Sequence, residues 1–204
     1  MTQEANAMIR IGLTAPIGCG KSYVAKLFAE KGIPTVDTDE VYHALVSKPS
    51  PLVDKLAEEF GNGILDTNGA LDRKKLAPIV FSDSAKLEAL NRITHSAVIG
   101  ETERIIASLE QNGVKAVTVQ VPLMFESGYN KMCDTVVCVV ADIPIRVSRI
   151  CKRDGCTEEI AKNRIKNQKE IEFYIANSDE KVYNNGYENI EEQILPILGK
   201  LSLL

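Results

Sequence analysis

The sequence predicts an α/β fold, a parallel sheet flanked by helices, and three observations predict it. A short apolar run, Ile9 to Thr14, ends on a glycine-rich loop that opens a helical pattern. A second short apolar run follows that helix, so the order is strand, loop, helix, strand, a βαβ unit of the kind found in parallel sheets covered by helices. A later stretch, Thr135 to Val140, is almost entirely β-branched and apolar, as strands buried on both faces are.

Each element has its own signal. Ile9 to Thr14 reads as the first buried strand. From Lys21 to Lys31, Val24, Leu27 and Phe28 recur at helical spacing, and Gly32 is the stop. Ile33 to Val36 reads as the second strand, ending on Asp37. Glu40 to Leu109 is mostly helical in pattern, broken by turn signals at Pro49-Ser50-Pro51, Gly61-Asn62-Gly63 and Asp66-Thr67-Asn68-Gly69. It is too long for a simple crossover and reads in part as a helical insertion. Val114 to Val121 is the third strand, closed by Pro122, and Thr135 to Val140 the fourth. From Pro144 to Lys169 the chain is charged and helical, with a turn at Asp154-Gly155. Lys181 to Tyr183 reads as a last short strand, followed by Asn184-Asn185-Gly186 and a final helix to Leu198.

Composition bounds the function. The chain has 204 residues, 45% hydrophobic and 25% charged, which is enough to bury a core without disulfides or a structural metal. A net charge of -4 argues against broad nucleic-acid binding through bulk electrostatics. No apolar run reaches the roughly 18 residues of a membrane span. Residues 1–7 are polar, lack the blocks of a signal peptide and read as a flexible extension. Five cysteines without a paired framework, and only two histidines (His43 and His95), point to reduced thiols in a cytoplasmic protein without a zinc site.

The chemistry starts at Gly18-Cys19-Gly20-Lys21-Ser22, between the first strand and the first helix. The backbone N–H groups of a helix start have no intrahelical partner, and the helix dipole adds partial positive charge there. Glycines let the backbone wrap phosphate oxygens, a lysine reaches the β- and γ-phosphates, and the next hydroxyl holds magnesium. Gly18, Gly20, Lys21 and Ser22 supply those parts, so the loop predicts a P-loop nucleotide site taking ATP and Mg2+, with Ser22 as metal ligand.

Phosphoryl transfer also needs a group that orients or deprotonates the attacking hydroxyl. Asp37-Thr38-Asp39 follows the second strand and suits that role; a helix N-cap is the alternative for either carboxylate. Arg146, Arg149 and Arg153 fall on one helix face. Three guanidinium groups there suit a polyphosphate and a lid that excludes water, and a solvated face is the alternative.

Taken in order, these pieces resemble the dephospho-coenzyme A kinase family from Ile9 to Leu198. The opening Gly12-Leu13-Thr14 and Gly18-Cys19-Gly20-Lys21-Ser22, the pair Asp37 and Asp39, Leu71-Asp72-Arg73, Pro122-Leu123-Met124-Phe125-Glu126, the arginine-rich helix, Gln168 and the Asn184-Asn185-Gly186 turn carry the resemblance. It implies ATP-dependent phosphorylation of the ribose 3′-hydroxyl of dephospho-coenzyme A, the last step of coenzyme A synthesis. It implies Asp39 as general base, Lys21 and Arg149 on the phosphates, and Gly18 to Tyr23, Arg146, Arg153 and Asn185 at the nucleotide. Asp37, Arg73, His95, Phe125 and Glu126 fall at acceptor positions. It further implies a core of about 8–40, 112–142 and 178–204, a helical substrate lobe of about 41–111, and a helical lid of about 143–177. Ala15 and Pro16 replace two family glycines, Tyr23 a usual threonine, and Ser96 the proline of a frequent His-Pro, so altered ATP affinity is expected. Two rivals stay open: another P-loop kinase for a nucleotide or metabolite alcohol, and a nucleotide-binding switch with no acceptor. The sequence leaves oligomeric state open.

Overall fold

A computed structural model describes residues 8–204, so the expectation for residues 1–7 lies outside the described residues. The chain forms two compact units: one runs to Thr35 and resumes at Leu109, the other comprises Val36–Ser108.

The first unit is built on four strands of a five-stranded sheet and on Thr35 of the remaining strand. The sheet's strands are β1 (Ile9–Thr14), β2 (Thr35–Asp37), β3 (Ala116–Gln120), β4 (Thr135–Val140) and β5 (Glu180–Tyr183), in the order β2-β3-β1-β4-β5. The pairs β1–β3, β1–β4 and β4–β5 are parallel, with Ile11 opposite both Thr118 and Thr135. β3 and β4 are buried along their whole length, which explains their uninterrupted apolar sequence. The sheet is flanked by helices, as the sequence predicts.

Helix α1 (Lys21–Glu30) turns Val24, Leu27 and Phe28 inward at i, i+3 and i+4. They join Ile11, Leu13, Val137 and Val139 of the sheet and Ile190, Ile194 and Leu198 of the last helix in one core. β2 is shorter than Ile33 to Val36 suggests, because Pro34 has no N–H to give a ladder. Its carbonyl still accepts from the Thr118 N–H at 2.9 Å.

The second unit holds α2 (Thr38–Val46), α3 (Pro51–Phe60), a 3-10 turn (Asn62–Ile64), α4 (Arg73–Phe81) and α5 (Ser84–Gln111), whose last residues belong to the first unit. Of the expected turns, Pro49-Ser50-Pro51 starts α3, Gly61-Asn62-Gly63 ends it and enters the 3-10 turn, and Asp66-Thr67-Asn68-Gly69 lies between the bridged Leu65 and Leu71. Ser50 caps α3 through the Val53 N–H, and Asp72 caps α4 through Lys74 and Lys75. Val46, Leu52, Val53, Leu56, Ile64, Leu76 and Val80 form this unit's own core.

The chain then completes the first unit with α6 (Ile143–Asp154), α7 (Glu158–Lys166), α8 (Ile171–Ala176) and α9 (Ile190–Lys200). Helix α8 has no clear signal in the sequence: six residues are too few to show a period. It is fixed by packing, with Tyr174 buried against Cys138 and Val140 of β4. No helix among the described residues is long and apolar enough to cross a membrane, and all five cysteines are free thiols.

Candidate active site

The site grows from the turn between β1 and α1. Pro16 O accepts from the Cys19 N–H at 3.3 Å, which folds the loop back on itself. Gly18 and Gly20 lie at φ 84° and 89°, where a Cβ is strained. Space forbids a side chain as well. A Cβ on Gly18 falls 2.8 Å from Arg146 O and 2.9 Å from Arg146 Cα, and one on Gly20 runs into the Asn184 Nδ2. Gly20 is the N-cap of α1, with its carbonyl accepting from Tyr23 and Val24.

The loop's carbonyls are held from behind. Ile17 O accepts from Arg146 Nε at 2.9 Å. Cys19 O accepts from Asn184 Nδ2 at 2.8 Å and from Arg149 at 3.3 Å, and Gly18 O accepts from Arg149 at 3.5 Å. Arg149 also donates to Asn184 O at 2.8 Å and Asn184 Oδ1 at 3.1 Å. The Ile17 N–H donates to Gln168 Oε1 at 2.7 Å. Carbonyls bonded to two guanidinium groups are neutralised by them, and the loop leads directly into the start of α1. That polarity suits an anion.

Lys21 and Ser22 open α1, with Ser22 and Tyr23 exposed. Cys19 is the loop's buried anchor in the core; burial pushes its thiol up, against the opposing influence of Arg146 and Arg149. It packs rather than reacts.

The three arginines separate. Arg146 is buried, only 3% exposed, under the loop. Arg149 is at the loop's carbonyls. Arg153 faces away and pairs with Asp154 through two bonds of 2.7 and 2.9 Å. Arg164 joins the same carboxylate. The hydrogen bond from Arg153, then the charges of both arginines, hold the Asp154 carboxyl below its ordinary range despite the opposing effect of burial.

Asn185 accepts from the Asp142 N–H at 2.7 Å and so sets the start of α6. Its neighbour Asn184, buried between Arg149 and Cys19, is the residue of that turn at the loop. The asparagine pattern was visible in the sequence; which asparagine reaches the loop was not. Phe125 stacks edge-on with Phe173 at 5.5 Å and lies 6.2 Å from Tyr174, an aromatic cluster under the exposed Glu126. Burial, and then the Glu126 charge, push the Tyr174 hydroxyl up.

In the second unit, Asp37 caps α2: its Oδ1 accepts from the Asp39 N–H at 2.9 Å. Asp39 stands exposed in the first turn. Tyr42 and His43 follow at i+3 and i+4 on the same face. Arg73 reaches them, with its guanidinium 4.8 Å over the Tyr42 ring and 3.2 Å from His43 Nδ1. Asp39 and Arg73 are therefore both anchored to one face of α2, a relation that Leu71-Asp72-Arg73 as a motif does not disclose. His95 is exposed on α5.

Comparison with known proteins gives the family. The model of the dephospho-CoA kinase family matches residues 9–189. Dephospho-CoA kinase of Fusobacterium nucleatum subsp. nucleatum is 40% identical over 182 residues, 89% of this chain and 91% of that one. The Geobacillus kaustophilus dephospho-CoA kinase is 38% identical over 197 residues, 96% and 98% of the two chains. Among solved structures, a Thermus thermophilus protein superposes with TM-score 0.80 at 30% identity over 95% of this chain and 98% of that one. Dephospho-CoA kinase from Campylobacter jejuni gives TM-score 0.68 at 25% identity over 95% and 96%. A shikimate kinase from Bacteroides thetaiotaomicron, 15% identical with TM-score 0.51 and covering 96% and 99%, shares the fold. This chain belongs to the dephospho-CoA kinase family.

Proposed function

We propose that the chain transfers the γ-phosphoryl group of ATP to the ribose 3′-hydroxyl of dephospho-coenzyme A, giving coenzyme A and ADP. One observation carries the reading: a glycine loop at the start of α1 whose carbonyls are tied to Arg146, Arg149 and Asn184, an arrangement that suits an anion at the helix start. The names of the relatives supply the acceptor.

In this reading N–H groups of Gly18, Gly20 and the first residues of α1 cradle the β-phosphate and Lys21 reaches the γ-phosphate. Arg146 and Arg149 act chiefly as braces, fixing the loop before the nucleotide arrives so that no reorganisation is needed in the transition state. Arg149 adds positive charge close behind the phosphates. Ser22 presents a hydroxyl oxygen at the helix start, a hard donor that fits Mg2+, which when bound shields charge on the phosphate oxygens. Asp39 accepts the proton of the attacking hydroxyl, and Asp37 fixes the turn from which Asp39 projects. Arg73, His95, Phe125 and Glu126 serve the acceptor, with Arg73 suited to a phosphate of the acceptor and Phe125 to an apolar or ring contact. The enzyme works in the cytoplasm.

The test is ADP release by purified protein with ATP and magnesium, comparing dephospho-coenzyme A with nucleoside monophosphates and simple alcohols. Turnover with dephospho-coenzyme A well above the others is expected. Turnover of a nucleoside monophosphate or alcohol without turnover of dephospho-coenzyme A would replace the reading with another kinase. ATP binding without turnover of any acceptor would leave a nucleotide switch.

A further inference from the structure

Helix α2 carries a histidine that the proposed chemistry leaves unused. Asp39 stands exposed in its first turn, and His43, also exposed, follows one turn later. Side chains at i and i+4 are neighbours on a helix, about 5–6 Å apart at Cβ. The Asp39 carboxylate is not spent on capping the helix, because Asp37 holds the Asp39 N–H at 2.9 Å in that role.

His43 is set by its surroundings. Its Nδ1 lies 3.2 Å from the Arg73 Nη2. A guanidinium has N–H groups and no acceptor, so Nδ1 accepts and the neutral ring carries its hydrogen on Nε2. Tyr42 stands edge-on to the imidazole, with ring centroids 6.2 Å apart and planes at 63°. The same guanidinium lies 4.8 Å over the Tyr42 ring, so one cation grips both aromatic neighbours. Arg73 itself opens α4, whose start is fixed by the Asp72 cap on the Lys74 and Lys75 N–H groups. The imidazole is therefore held in one tautomer from a second helix. Among the described residues no acceptor takes its Nε2–H.

A neutral donor one turn from a free carboxylate selects what it binds. A phosphate set against Asp39 is repelled by like charge. A lone hydroxyl needs only one of the two side chains. A vicinal diol uses both: one oxygen gives its proton to the carboxylate and the other accepts from Nε2–H. Two oxygens on adjacent carbons fit within the span of an i, i+4 pair. The ribose of dephospho-coenzyme A carries such a diol at its 2′ and 3′ positions.

We propose that His43 is a specificity-determining residue for the acceptor, its Nε2–H binding the ribose 2′-hydroxyl while Asp39 takes the proton of the 3′-hydroxyl. This role rests on the proposed phosphorylation of dephospho-coenzyme A and names the part of that molecule that α2 reads. No bond is made or broken at His43. It aligns the diol so that the 3′ oxygen, and not the 2′ oxygen, meets the base, and it favours a ribose over a deoxyribose or a simple alcohol.

The experiment measures kcat/KM with ATP and magnesium for dephospho-coenzyme A and for its 2′-deoxy analogue, on wild type, His43→Ala and His43→Gln. Wild type should prefer dephospho-coenzyme A by about tenfold, the scale of one hydrogen bond to a substrate hydroxyl. His43→Ala should lose most of that preference. His43→Gln, whose amide N–H has a similar reach, should keep most of it. Any loss that comes from releasing Arg73 falls on both substrates and cancels in the ratio. A wild type that does not distinguish the two substrates, or a His43→Ala variant that loses equally on both, would overturn the role of His43 and leave the proposed activity standing. Turnover of neither substrate by wild type would overturn the activity and this role with it. Nitrogen magnetic resonance of the chain's two histidines needs no substrate. A neutral His43 ring with its hydrogen on Nε2 is expected, and a hydrogen on Nδ1 would overturn the role.

Discussion

Asn184 donates its side-chain amide to the carbonyl of Cys19 at 2.8 Å and accepts from Arg149 on its other side at 3.1 Å. One buried side chain, just beyond the end of β5, thereby joins the phosphate loop to α6. An amide is suited to this place because it donates to a carbonyl and accepts from a cation at once. Asn184→Ala removes one bond from each partner at a buried place, while Arg149 keeps its bonds to the carbonyls of Cys19 and of residue 184, so the fold should lose about 0.5–1.5 kcal/mol. Urea titration measures that loss, and a severalfold rise in the KM for ATP should accompany it.

The two constrained glycines should differ sharply from an open one. Gly20→Ala meets both the left-handed backbone and the Asn184 side chain. Calorimetric titration should show ATP affinity falling more than tenfold while circular dichroism remains that of a folded protein. Gly32 has φ 81° and nothing within 4 Å of its missing Cβ. Gly32→Ala should cost only the backbone strain, about 1–2 kcal/mol of stability, with ATP affinity unchanged.

Asp39 and Asp37 should separate in mutant kinetics. Asp39→Asn keeps shape but cannot take a proton, so kcat should fall by roughly 100-fold or more with ATP affinity kept. Asp37→Ala removes the cap of α2 and should cost about 1 kcal/mol in stability with a smaller loss of kcat. Near-normal transfer by Asp39→Asn would remove its role as base.

Asp154 gives the acid dependence. Its carboxyl is held below 3.8 by its hydrogen bond with Arg153 and by the charges of Arg153 and Arg164. A carboxylate whose folded pKa is depressed stabilises the fold above its unfolded pKa, and the contribution is lost as pH falls through the folded one. The thermal midpoint of wild type should therefore exceed that of Asp154→Asn at neutral pH, and the two should converge in acid. Because the group is exposed, the difference at neutral pH should be small and should shrink with added salt.

Local signals made the frame legible. The bounds of β4 follow from its β-branched run, β1 from its apolar run, and α1 from the spacing of Val24, Leu27 and Phe28. The turn between β1 and α1 was legible for the same reason, since its glycines, Lys21 and Ser22 are adjacent in sequence. What holds the loop was not. The bonds of Asn184, Arg149 and Gln168 to residues 17–19 span more than 100 positions, and a side chain's choice of a distant carbonyl leaves no period in the chain. Helical spacing placed Arg146, Arg149 and Arg153 on one face. It could not show that the first lies buried under a backbone turn and the last pairs with Asp154. Helix α8 and the contact of Arg73 with Tyr42 and His43 arise from packing alone.

The most direct measurement is identification of the product by phosphorus and proton magnetic resonance after incubation of the protein with ATP, magnesium and dephospho-coenzyme A. One new phosphomonoester, coupled to the ribose 3′ proton and formed in step with ADP, is the expected result. Free phosphate as the sole new phosphorus signal, or a phosphomonoester at another position, would contradict it.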